Sequence, residues 1–135
     1  MICAAGSPSA EPQARTILVV DDDRAVTETL GRLLTNDGFL VATALDPEVG
    51  LTLADNVRPD AVVLDLRMPL VNGLHFLRQL RRMPHLADVP VVIVTGDYFV
   101  ADHMERELLT LGAEIRFKPI QIDELVALLR TLIHP

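Results

Sequence analysis

The chain has 135 residues, half of them apolar, and a formal net charge of −7. That length suits one domain with its own core, and the acidic balance argues against unaided nucleic-acid binding, which needs Lys and Arg to neutralise phosphates. No apolar run approaches the roughly 20 residues that span a bilayer, the N-terminus lacks the basic start and apolar middle of a secretory signal, and the single cysteine, Cys3, has no partner for an internal disulfide, so a cytoplasmic setting is expected.

Residues 1–15 are small and polar without periodicity, which predicts a flexible tail ahead of a domain over 16–135. ILVV (17–20) is the first of five short β-branched runs, and it leads into Asp21, Asp22 and Asp23. Val26, Leu30, Leu33 and Leu34 then recur at i, i+4, i+7 and i+8, the core stripe of a helix that Gly38 is placed to end. FLVAT (39–43) is the second strand. Asp46 followed by Pro47 is an N-cap with Pro at the first helical position, opening a helix through Asn56. DAVVLD (60–65) is the third strand, and after MPLVNG, with Asn72 in a loop, a helix fits Leu74 to Arg82. VPVVIVT (89–95) is followed by a helix over Ala101 to Leu111 ending at Gly112, then by EIRF (114–117). The last helix, Ile122 to Ile133, carries Leu125, Leu128, Leu129 and Leu132 on its core stripe, with Val126 and Ile133 off it as either candidate contact residues or the rim of the core.

Five strands alternating with five helices imply a parallel sheet covered on both faces, because parallel neighbours require crossover connections. In such sheets ligands bind beyond the carboxyl ends of the strands. Those ends carry Asp21 to Asp23, then Asp65, then Thr95 and Gly96, then Lys118 and Pro119, whereas Ala44 and Leu45 after the second strand offer nothing reactive. If the first and third strands are neighbours, Asp21, Asp22 and Asp65 share a pocket, and their mutual repulsion calls for a hard cation with oxygen ligands such as Mg²⁺. Lys118 supplies a point charge for a phosphoryl oxygen, Thr95 a hydroxyl donor, and Gly96 space for the group to enter. A carboxylate is also a competent nucleophile toward phosphorus. Taken singly, each of these features also suits an ordinary cap, turn or snorkelling lysine.

ILVVDDDRAV, DAVVLDLRMPLVNG, VVIVTGD and FKPI, in this order, resemble the receiver domain of bacterial two-component response regulators over about residues 16 to 134. The resemblance implies a flavodoxin-like, doubly wound α/β fold with strand order 2-1-3-4-5. It implies Asp65 as phosphoacceptor and Asp21, Asp22, Asp65 and the Arg67 backbone carbonyl as ligands of Mg²⁺ or Mn²⁺. It further implies Thr95 as the switch hydroxyl, Lys118 as the phosphoryl-binding amine, and a cis Lys118–Pro119 bond. The implied phosphodonor is a histidine kinase or phosphotransfer protein docking on the first helix. The output is read by a downstream protein or a second copy through helix four, strand five and helix five, without direct contact to nucleic acid or membrane. The protein would then be no enzyme beyond turning over its own phosphoryl group.

Two positions depart from the common pattern. Asn72 replaces a more frequent Asp, and Ile115 stands where an aromatic is usual; Tyr98 or Phe99 is a candidate substitute for that ring, with plain cover of the core edge as the alternative. Arg67 and Asp97 flank the pocket with opposite charges, and their pairing across its mouth is expected to lengthen the phosphoryl lifetime, a solvated pair of no consequence being the alternative. His75, His85, His103 and His134 share no metal-ligand spacing and are expected at the surface. Two rival readings are a phosphorylation-independent interaction module, which Ile115 keeps open although the acidic pair, Asp65, Thr95 and Lys118 count against it, and a haloacid-dehalogenase-type phosphatase using Asp21, which leaves Asp65 idle. Pro135 directly follows the last helix, so a single-domain regulator is expected, with a removed output domain as the alternative.

Overall fold

A computed structural model describes the backbone of residues 14–66, 70–96 and 102–133, and their side chains except at 65, 66, 70–72 and 102. The elements are β1 (Thr16–Val20), α1 (Arg24–Asn36), β2 (Leu40–Ala44), α2 (Pro47–Val57), β3 (Ala61–Leu66), α3 (Leu70–Arg82), a 3₁₀ turn (Pro84–Leu86), β4 (Val91–Thr95), α4 (Asp102–Thr110), β5 (Ala113–Phe117) and α5 (Ile122–Ile133). All neighbouring strands are parallel, in the order β2-β1-β3-β4-β5. This is the doubly wound order that the resemblance implies.

Alternation along the strands divides the core into two layers. Leu18, Val20, Val62, Leu64, Val91 and Ile93 face one way, toward Ala54 of α2, Phe76, Leu77 and Leu80 of α3 and Leu108 of α4. Ile17, Val19, Val63, Val92 and Val94 face the other, toward Leu34 of α1 and Leu125 and Leu129 of α5. β1 is almost wholly buried and β4 wholly so, whereas the two edge strands are only partly covered, Leu40 at the start of β2 being 59% exposed. The five runs alike suggested buried strands; a strand at an edge has one neighbour and one open flank.

Helix ends follow their local chemistry. Asp46 Oδ1 accepts from the Val49 N–H (2.8 Å) with Pro47 at the first position. Gly38 (φ 97°) and Gly112 (φ 86°) follow α1 and α4 in the left-handed region that a side chain disfavours. Four expectations change. Leu33 is 38% exposed and Thr27 takes a buried place on α1, because the face turned to the sheet runs through Thr27 and Leu34. α3 begins at Leu70, four residues early, so Asn72 lies in the helix rather than in a loop. Val126 is 8% exposed and belongs to the core beneath α5, not to a contact surface, and Ile133 packs against the same cluster. Arg15, expected in the tail, accepts at its carbonyl from the Leu40 N–H (2.9 Å) and sits 3.6 Å from Asp60, extending the β1–β2 edge. The rest of the expected tail up to residue 13 lies outside the described residues, as do Cys3, Tyr98, Phe99 and His134.

Candidate functional site at the carboxyl edge of the sheet

Asp21 continues β1. Its N–H donates to the Ala44 carbonyl (3.1 Å), so the residue stays tied to β2, and its side chain has no solvent exposure. Its Oδ1 accepts from the Asp23 N–H (3.0 Å). A carboxylate taken fully out of water is retained only where donors or cations replace the lost hydration, and this one stands at the end of the strand beside β3. Asp22 follows and is exposed. Asp23 turns away from the strand end to cap α1, Oδ1 accepting from the Ala25 (2.9 Å) and Val26 (3.2 Å) N–H groups.

Register brings the other candidates to the same edge. Val20 pairs with Leu64, so Asp65 lies one step past that pair on the neighbouring strand, and Asp65 itself pairs with Val94. Its side chain lies outside the described residues, as do Arg67 and Asp97 altogether. Thr95 ends β4, 1% exposed, and its carbonyl accepts from the Lys118 N–H (2.8 Å), which fixes the lysine beside it. The Lys118–Pro119 bond is cis, as the resemblance implies. Gly96 is open: a Cβ built there would first meet the Lys118 stem, Cδ at 4.0 Å. The backbone therefore gathers Asp21, Asp22, Asp65, Thr95, Gly96 and Lys118 at the ends of four adjacent strands. The donor set on the acidic side is oxygen only, which fits a hard divalent cation.

Beside Lys118 a cleft of about 350 Å³ opens between α1 and α5, walled by Val26, Leu30, Ile120 and Leu125. Ile115 pairs with Ile93 and packs, half-buried, on the α3/α4 side of the sheet. Sequence reading passed over Phe117, the ring opposite Thr95 in register and 42% exposed. The signal for it was present in FKPI, but only strand pairing shows that the residue before the lysine faces the hydroxyl-bearing strand end. His75 and His103 are exposed, and His85 Nε2 lies 3.1 Å from Asp55 on α2, away from the strand ends. Among the described residues no helix is long and apolar enough to cross a membrane.

The family model for the response regulator receiver domain matches residues 17–130. Response regulator MprA of Mycobacterium sp. (strain KMS) is 43% identical over 119 residues, 87% of this chain and 50% of that protein. The corresponding protein of Mycolicibacterium vanbaalenii is 42% identical over the same share. The chain thus spans about half the length of the curated relatives it matches. Among solved structures, chemotaxis protein CheY4 of Vibrio cholerae shares the fold with a TM-score of 0.78 at 24% identity, covering 88% of this chain and 98% of that one. A CheY-like receiver domain from Methylobacillus flagellatus matches with a TM-score of 0.75 at 28% identity over the same shares. With five parallel strands in the order seen here and the motifs at their ends, the chain belongs to the response regulator receiver domain family, whose general function is phosphorylation-based signalling.

Proposed function

We propose that this domain is a phosphoacceptor switch in which Asp65 takes a phosphoryl group from a histidine kinase or phosphotransfer protein. The observation that carries this reading is the fully buried Asp21 level with Asp65 at the end of the neighbouring strand, with Thr95 and Lys118 on the next two strand ends. An Asp65 carboxylate oxygen attacks phosphorus while the bond from phosphorus to the donor atom breaks, leaving an acyl phosphate on Asp65. Asp21, Asp22, Asp65 and the Arg67 carbonyl would hold Mg²⁺ or Mn²⁺, which when bound offsets negative charge on the transferred group. Lys118 supplies the second positive charge, Thr95 a hydrogen bond to a phosphoryl oxygen, and Gly96 leaves the approach clear.

The phosphorylated arrangement is favoured by those contacts and its population rises, which is what a downstream protein or a second copy reads. The helix four, strand five and helix five face is the proposed reading surface; Ile115 is the atypical residue in its coupling to Thr95. The apolar cleft between α1 and α5, adjoining Lys118, supports approach of the donor over α1. Arg67 and Asp97, pairing across the mouth, would slow hydrolysis. The domain would work in the cytoplasm, act on no separate substrate, and touch neither nucleic acid nor membrane directly.

Intact-protein mass after incubation with acetyl phosphate tests the reading. One added phosphoryl group, requiring Mg²⁺ and absent from Asp65→Asn, is the expected result. No adduct on a folded wild type would favour the phosphorylation-independent module, and an adduct that survives Asp65→Asn but not Asp21→Asn would favour a phosphatase using Asp21.

A further inference from the structure

The third carboxylate of the run Asp21–Asp23 has no part in holding a cation under the reading above, and the geometry gives it another task. Asp23 adopts an extended backbone (φ −96°, ψ 112°) while its Oδ1 accepts from the Ala25 and Val26 N–H groups. In that conformation its own N–H donates to Asp21 Oδ1 at 3.0 Å. Asp22 lies between these bonds, bracketed by one that ends on Asp21 and others that begin on α1. The outer ends of the loop are held independently, by the Asp21 N–H on the Ala44 carbonyl (3.1 Å) and the Thr27 N–H on the Asp23 carbonyl (3.0 Å). The cap is therefore, together with the Asp21 Oδ1 bond, a side-chain tie that sets how the loop runs between a buried strand end and a helix.

We propose that Asp23 is a positioning residue, holding the carboxylates of Asp21 and Asp22 in the arrangement that takes up the divalent cation. This rests on the reading of Asp21 and Asp22 as its ligands. Residues that orient metal ligands through hydrogen bonds commonly change affinity by tenfold or more when removed. A competing account is that Asp23 attracts the cation through space by its charge alone. The two separate cleanly, because positioning needs only an acceptor oxygen at the cap, whereas attraction needs the ionised group.

The test is a Mg²⁺ titration of the full chain, followed by amide shifts in isotope-labelled protein, on wild type, D23N and D23A, with phosphorylation by acetyl phosphate measured at limiting and saturating Mg²⁺. D23N keeps a capping oxygen and is expected within about twofold of wild type, whereas D23A is expected to weaken Mg²⁺ binding by on the order of tenfold. Saturating Mg²⁺ should restore the D23A phosphorylation rate, a split that a merely structural cap would not produce. Equal weakening in D23N and D23A would assign the effect to charge, and unchanged affinity in D23A would remove it; either result overturns the proposal. D23G, which removes the acceptor at little cost to the helix start, replaces D23A if that variant does not fold. A folded wild type that takes up no Mg²⁺ would overturn the reading of the site along with this inference, whereas the two failures above leave that reading standing.

Discussion

Gly50 shows how little room the residues behind the site allow. A Cβ at that position of α2 would meet Val20 Cγ2 at 3.0 Å and Phe76 Cε1 at 3.1 Å, so the helix rides directly on the last residue of β1 and on α3. Gly50→Ala gains about 1 kcal/mol of helix propensity but forces an extra methyl into a filled layer, at about 1–3 kcal/mol. The expected outcome is a net loss of about 1 kcal/mol, seen as a lower urea midpoint at unchanged slope; an unchanged or higher midpoint would show that Val20 can yield. Sequence reading did well on residues whose role is local. Asp46, Gly38 and Gly112 act through their own backbone neighbours, and each is found doing what its residue type predicts. It did poorly on Thr27, Leu33 and Val126, whose burial depends on which way a helix is rolled against the sheet.

Between elements, α3 and α4 are joined by two arginines one turn apart. Arg78 pairs with Glu107 on the surface, its Nε 2.6 Å from Oε2. Arg81 is more enclosed: Nε donates to the Leu111 carbonyl (2.7 Å) and Nη1 to the Leu86 carbonyl (3.0 Å), and Nη2 lies 3.3 Å from where a Gly112 side chain would start. Burial lowers the Arg81 pKa from its ordinary value, and the charge of Asp88 opposes that. The guanidinium thus closes three chain segments over one charge: the end of α3, the 3₁₀ turn and the junction of α4 with β5. Arg81→Ala should cost about 2 kcal/mol, the range for a hydrogen-bonded charged donor. Arg78→Ala, an exposed pair, should cost below about 1 kcal/mol. Equal losses in chemical denaturation would contradict this ranking. None of it was legible beforehand, since the Arg81 partners are backbone carbonyls 5 and 30 residues away and carry no side-chain signature.

For the whole molecule, the site's acidity and the sheet's topology combine in one observable. A cation that binds only the folded state stabilises it by RT ln(1 + [L]/Kd), about 1.4 kcal/mol at a concentration ten times Kd. For a domain of this size that is a rise in Tm on the order of 5 °C. Mg²⁺ should therefore raise the Tm of the wild type, and Asp22→Asn, which removes an exposed candidate ligand without disturbing the core, should lose most of the rise. An equal rise in both proteins would place the cation elsewhere. The same scale explains why the site was visible in the sequence. Parallel strands put their carboxyl ends at one edge, so Asp21, Asp65, Thr95 and Lys118 are brought together by any right-handed alternating chain of this order.

The sequence by itself determined the alternation of strand and helix, the caps, and the residue types at each strand end, because these rest on periodicity and on hydrogen bonds a few residues long. With the family motifs it also determined the sheet order. Only the tertiary structure decided that Asp21 is wholly buried, that Phe117 stands opposite Thr95, and that Arg81 fastens α4 to α3. Burial and register are properties of pairs of elements packed from distant parts of the chain, and no local pattern of residues encodes how one surface rolls or slides against another.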